Sequence, residues 1–223
     1  MHRQYLLSLA LFLFALVISL WSGSQTGQRS KAMTPCAGLV LPSWLFGVMW
    51  TAIYGLSCLG YVQAQGTDIP LILGAAWVLS AVWIVTFSRV QPSALSQTIC
   101  LWLLGAFWLC ALISWQSIAF SAAPVTLQCA VTLLALWSSM ALTLQVQMSV
   151  PSAAPRIRQV ALPLLALVAG CLGLLIATQV PRNRAPMLTT LLGGALLILA
   201  AQHSLNSRSR DAFCSQDTNL PQV

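Results

Sequence analysis

LPSWLFGVMWTAIYG, residues Leu41 to Gly55, carries a proline at its start, aromatic residues at four-residue intervals and no charge. Proline at the mouth of a helix leaves no amide hydrogen unpaired, so Pro42 marks a helix start. At 100° per residue, Phe46, Trp50 and Tyr54 fall within an arc of about 80°. Gly47, Thr51 and Gly55 form an adjacent strip of small residues, suited to close approach of a neighbouring helix. The apolar character continues to Gln63. Ser43–Gln63 therefore reads as one helix of about the roughly 20 residues that cross a hydrocarbon core.

The rest of the chain repeats this pattern. Its residues are 58% hydrophobic and 6% charged, against about 45–50% and about 25% in ordinary soluble domains. A water-facing surface could not be built from so few charges, whereas a lipid-facing one can. Seven segments approach spanning length: Tyr5–Trp21, Ser43–Gln63, Pro70–Ser88, Thr98–Ser117, Pro124–Gln147, Val160–Gln179 and Met187–Leu205. They are continuous apolar runs, not the alternating segments of a membrane barrel, so helices are expected. The first could instead be a signal peptide, with Arg3 ahead of it and Ser22-Gly23-Ser24 behind. The absence of an A-x-A site and the nearby Arg29 and Lys31 favour a retained helix.

All ten basic residues and the three acids, Asp68, Asp211 and Asp217, lie between the apolar runs or at their ends. With seven spans, Arg3, Arg182 and Arg184 fall on one side. Arg29, Lys31, Arg89, Arg156, Arg158, Arg208 and Arg210 fall on the other. The positive-inside rule then puts the amino terminus outside and the carboxyl terminus in the cytoplasm, with a bacterial inner membrane as the expected location. The net charge of +7 is spread over loops without a basic, aromatic-interleaved patch, which argues against nucleic acid as a partner. The seven cysteines include no CxxC pair, and His2 and His203 flank the membrane region, so no metal site is expected.

All nine tryptophans precede residue 138. This divides the chain into a tryptophan-rich five-helix unit, residues 1–148, a two-helix extension, residues 149–205, and a polar tail, residues 206–223, expected to be disordered. The extension is Leu/Ala/Gly-rich, with Ala169, Gly173 and Ala177 at four-residue spacing. Belt tryptophans cluster at span ends, yet Trp50, Trp83, Trp108 and Trp137 lie well inside, which points to an internal aromatic cluster.

The opening stretch resembles the signature of the TspO/MBR family, the tryptophan-rich sensory and translocator proteins. The pattern P-x-W-x-F-x-x-x-W-x-x-x-Y is matched by Pro42, Trp44, Phe46, Trp50 and Tyr54. Two weaker matches follow in order: Ser80, Trp83 and Phe87 against N-x-x-W-x-x-x-F, and Trp137, Ala141, Leu144 and Gln145 against W-x-x-x-A-x-x-L-N. Both family asparagines are replaced, by Ser80 and Gln145, and the last two helices lie outside the five-span pattern. The resemblance implies a similar five-helix bundle that binds tetrapyrroles, sterols and related flat apolar ligands between its helices.

Aromatic walls suit such ligands, because they offer contact area with few rotors to freeze. The expected ligand-binding residues are Trp44, Phe46, Trp50, Tyr54, Trp83, Phe87, Trp137 and Gln145, with Trp108 and Trp115 as weaker additions. Plain helix packing would use the same residues equally well. The expected function is a membrane receptor, sensor or carrier for a tetrapyrrole, such as protoporphyrin or haem, or a sterol-like lipid. No enzyme activity and no further cofactor are expected, since the spans lack Asp, Glu, Lys and Arg, and their one His, His203, stands at the end of the last. Two alternatives stay open: a non-catalytic assembly subunit of a membrane complex, and a small-molecule transporter, though coupled transporters usually carry intramembrane ionisable groups. The partners expected are membrane lipid, a hydrophobic small molecule, and either a second copy or a membrane partner protein.

Overall fold

The computed structural model describes residues 2–22, 39, 41–64, 69–89, 93–119, 121–150, 188–199 and the single positions 156, 186 and 202. The described residues are all-helical, without strands. Five long helices are present: α1 His2–Ser22, α2 Ser43–Gln63, α3 Leu71–Arg89, α4 Ala94–Ala119 and α5 Val125–Ser149. A shorter helix, α6, covers Leu188–Leu199.

Four of them, α2 to α5, are long and apolar enough to cross a membrane. At 1.5 Å per residue they measure about 28 to 39 Å, close to the hydrocarbon thickness. In α1 the apolar stretch is Gln4–Ser19. Of the seven expected spans, Val160–Gln179 lies outside the described residues, as does the Ala169, Gly173 and Ala177 face within it. The seventh is represented by α6.

Proline sets three of the helix starts. Pro42, Pro70 and Pro124 each stand immediately before or within one residue of a helix. Their carbonyls accept the first bonds, from Leu45 (3.1 Å), Leu73 (3.0 Å) and Leu127 (3.0 Å). Here the missing proline N–H removes nothing the helix needs. The start of α4 uses a different device. Ser93 and Ser96 cap each other, the Ser96 amide donating to Ser93 Oγ (3.1 Å) and the Ser93 amide to Ser96 Oγ (2.8 Å). This reciprocal cap begins the helix four residues before the expected Thr98.

The helices pack in the neighbour order α2–α5–α4–α3–α1. Side chains tie α1 back to α2. Tyr5 Oη donates to the Tyr61 carbonyl (2.7 Å), Ser8 pairs with the Tyr61 hydroxyl (2.7 Å), and Ser19 pairs with the Tyr54 hydroxyl (2.6 Å). These interhelical bonds matter in lipid, where no water substitutes for a lost partner. The α5 helix is the most enclosed, with 78% of its spanning window buried, against 33% for α4. Its buried Thr132 and Ser138 return their hydroxyl protons to the carbonyls of Gln128 (2.7 Å) and Ala135 (3.0 Å), so these two hydroxyls enter the core with partners.

Glycines set two of the closest approaches. A Cβ on Gly60 would stand 2.8 Å from the Leu127 Cα and 2.9 Å from its nitrogen, so α2 and α5 meet backbone to backbone there. A Cβ on Gly74 would stand 2.8 Å from Leu11 Cδ1, which seats α1 on α3. The strip expected to make such a contact, Gly47, Thr51 and Gly55, behaves differently. Thr51 is exposed, and a Cβ on either glycine would meet nothing within 4 Å. Close packing on α2 has moved to its far end, because the aromatic face takes the inward position and turns the adjacent strip outward.

Candidate functional site

The inward face of α2 builds the centre of the site. Phe46 and Tyr54 are buried and Trp50 is half-buried, one helical turn apart, as their four-residue spacing requires. The fully buried Trp137 of α5 meets Phe46 edge-on, with ring centroids 5.1 Å apart and planes at 86°. It meets Trp50 at 6.3 Å and 79°. Trp50 in turn stacks on Tyr54 at 5.3 Å and 24°. Both geometries are the favoured ones for aromatic pairs, which place ring edges on faces or offset the stack.

The cluster extends beyond the residues anticipated from sequence. Tyr54 stacks on Trp77 of α3 (5.4 Å, 30°) and meets Phe12 of α1 (5.9 Å, 44°). Phe12 reaches Trp77 and Tyr61, each at 5.1 Å, and Tyr61 reaches Tyr5 at 6.2 Å. Eight rings from four helices thus form one contact-connected body: Phe46, Trp137, Trp50, Tyr54, Trp77, Phe12, Tyr61 and Tyr5. A signal for Tyr61 was available, seven residues beyond Tyr54 and so on the same face. Phe12 and Trp77 share their runs with other aromatics, Phe14 in α1 and Trp83 and Phe87 in α3, and nothing in those runs separates the ring that joins the cluster.

Of the eight anticipated ligand-binding residues, four meet here: Phe46, Trp50, Tyr54 and Trp137. Trp83 and Phe87 are buried and stack on each other (5.5 Å, 22°) along α3, as a second aromatic group. Trp44 is 57% exposed and stands on the outer surface of α2. Gln145 is fully buried, its Nε2 donating to Gln97 Oε1 (2.9 Å) and Ser149 Oγ (3.3 Å). The weaker additions divide as well. Trp108 donates its indole hydrogen to Ser139 Oγ (2.9 Å), joining α4 to α5, and Trp115 is buried on α4.

The polar atoms of the site fall into two groups, those with partners and those without. The indole nitrogens of Trp50, Trp83 and Trp137 and the Oε1 of Gln145 are buried with no hydrogen-bond partner. Trp77 Nε1 lies outside hydrogen-bond geometry too, although close enough to the Tyr61 hydroxyl to interact with it. An unpaired buried donor costs about 1–3 kcal/mol. An N–H directed at a ring face recovers only a weak interaction. The hydroxyls, by contrast, are engaged: Tyr54 with Ser19, Tyr61 with Ser8, Tyr5 with the Tyr61 carbonyl. What the cluster offers a guest is aromatic surface and N–H donors.

Two further features frame it. Gln147, fully buried, accepts from the Leu39 amide (2.9 Å) and donates to the Leu39 carbonyl, pinning the chain ahead of Pro42 to the end of α5. Nothing in its sequence setting distinguished it from Gln145. Gly47, Thr51 and Gly55 are exposed on the side of α2 next to the half-buried Trp50, with open space around both glycines. Among the described residues, no group of three or more His, Cys, Asp or Glu side chains could hold a metal ion. Comparison with protein-family models, curated proteins and solved structures returns no match.

Proposed function

We propose that this chain is a non-catalytic membrane receptor, sensor or carrier that binds a flat apolar ligand against the Phe46–Trp50–Tyr54–Trp137 cluster. The supporting observation is that rings from separate helices converge while their indole N–H groups stay buried and unpaired. In a purely structural core those donors would represent an uncompensated cost; beside a ligand with acceptor atoms they become binding groups. Trp50, the half-buried member, is the entry point, and the Gly47–Thr51–Gly55 strip gives a planar molecule access from the lipid. The ligand classes this favours are tetrapyrroles, such as protoporphyrin or haem, and sterol-like lipids.

In this reading, residues 1–148 form a five-helix TspO/MBR-like bundle, followed by a two-helix extension. The protein sits in a bacterial inner membrane, amino terminus outside. A second reading, an assembly subunit, is favoured by one observation: Trp102, 76% exposed on α4, presents a large aromatic surface outward. Titration with protoporphyrin in detergent, followed by tryptophan quenching, separates the two. Ligand binding requires saturable quenching that Trp50→Ala and Trp137→Ala weaken and Trp102→Ala leaves intact. Quenching of equal strength in all three variants, or none, transfers the weight to assembly.

A further inference from the structure

We infer that the guest of this cluster is an uncharged planar molecule whose polar atoms are hydrogen-bond acceptors, a quinone-type dicarbonyl, with the Trp50 and Trp137 indole N–H groups as its donors. The inference rests on the ligand-binding reading and narrows it. Three observations select the chemistry. The first is the donor inventory. Trp50 and Trp137, whose rings touch at 6.3 Å, each bring a buried N–H with no partner, and an indole nitrogen donates only.

The second is the state of the neighbouring hydroxyls. Tyr54, Tyr61 and Tyr5 could have served a ligand as donor or acceptor, but each is held in a bond between or along helices at 2.6 to 2.7 Å. A carbonyl arriving here finds two donors that hold no partner, whereas a ligand hydroxyl or N–H must share a tyrosine oxygen that already takes part in a helix–helix bond. Among the described residues, the one buried acceptor without a partner, Gln145 Oε1, is eight residues past Trp137 on α5, about 12 Å along the helix axis.

The third is charge. Residues 4–22, 43–63, 71–88, 94–119 and 125–149 contain no Asp, Glu, Lys, Arg or His. A carboxylate at the cluster would sit in a low-dielectric core without a counter-ion, which disfavours the dianionic form of a dicarboxylic tetrapyrrole at that position. Neutral carbonyl oxygens carry no such penalty. Planarity follows from the walls, because the flat rings of Phe46, Trp50 and Trp137 offer most contact area to a flat guest.

The test compares two probes of similar outline, 1,4-naphthoquinone and 1,4-dimethylnaphthalene, in which methyl groups replace the carbonyl oxygens. Each is equilibrated by dialysis with the full-length protein in nanodiscs of zwitterionic lipid, against protein-free nanodiscs. Carbon-13-labelled quinone is followed in parallel by its carbonyl stretch. The wild type should hold the quinone about tenfold more tightly than the hydrocarbon, with the carbonyl band moved to lower frequency. Trp50→Phe and Trp137→Phe, which keep a ring and remove the N–H, should each shrink that ratio about threefold or more; Trp102→Phe should not. Both probes are read on the same sample, so general loosening by a substitution affects them alike. If Trp137→Phe does not fold, Trp50→Phe alone carries the comparison. A wild-type ratio near one, or a ratio unmoved in the Phe variants, overturns the inference. Saturable binding of protoporphyrin or cholesterol alongside a quinone that does not bind also overturns it, while leaving the broader reading in place. If no probe binds, both fall.

Discussion

Replacing Gln147 by Met probes how the entrance segment is held to the core. One amide side chain closes two bonds with the backbone of Leu39, a residue 108 positions away, and both partners are fully buried. Methionine keeps the length and unbranched shape of glutamine while removing both bonding atoms. The Leu39 N–H and C=O are then left without partners, at about 1–3 kcal/mol each. Burying an apolar side chain in place of an amide returns about 1 kcal/mol, so the net loss is about 1–5 kcal/mol. Reversible unfolding in mixed micelles, followed by circular dichroism, measures it. Gln116→Met, at an exposed position on α4, should change stability by less than about 0.5 kcal/mol. Since Leu39 leads directly into Pro42 and α2, the variant should also disturb the Phe46–Trp137 contact and shift the tryptophan emission. A Gln147→Met protein within about 0.5 kcal/mol of wild type would refute the two-bond anchor.

Three other outcomes follow from particular contacts. Gly60→Ala places a methyl group 2.7 to 2.9 Å from Leu127 atoms; the resulting displacement of α2 from α5 should cost about 1–3 kcal/mol, more than the gain of about 1 kcal/mol in helix propensity, in the same unfolding assay. Ser93→Ala removes one half of the reciprocal cap on α4 and should cost about 1 kcal/mol, with faster amide exchange confined to the first turn. Gly55→Leu fills open space beside the aromatic face, so stability should hold or rise by up to about 1 kcal/mol while ligand association slows several-fold; unchanged association kinetics would remove the strip from the access route.

The helical class and the limits of α2 could be read directly from the chain, since uncharged runs of bilayer length bounded by proline admit few other structures. The inward aromatic face of α2 was equally legible from the spacing of Phe46, Trp50 and Tyr54. The direction of the small-residue strip was not. Gly47, Thr51 and Gly55 satisfy a close-packing pattern, but which strip a helix turns inward depends on its neighbours, and here the aromatics won the inward side. Trp44 shows the same limit: its place in a matching motif did not indicate that its ring points outward. Trp77 and Phe12 join the cluster through contacts between α1, α2 and α3, and their runs hold other aromatics, such as Phe14 and Trp83, that do not, so the presence of a ring in a run does not decide which one meets α2. The start of α4 escaped notice because a Ser–Ser reciprocal cap lacks the acidic or amide residue of the usual form.

The central claim, that rings of α2 and α5 together receive a planar guest, is met most directly by photolabelling. A diazirine-bearing planar probe is irradiated with the protein in nanodiscs and its adducts are mapped by mass spectrometry. Labels concentrated in residues 44–55 and 131–140, and suppressed by excess unlabelled ligand, are the expected result. Labels spread over the exposed face of α4 around Trp102 and indifferent to competitor would contradict it.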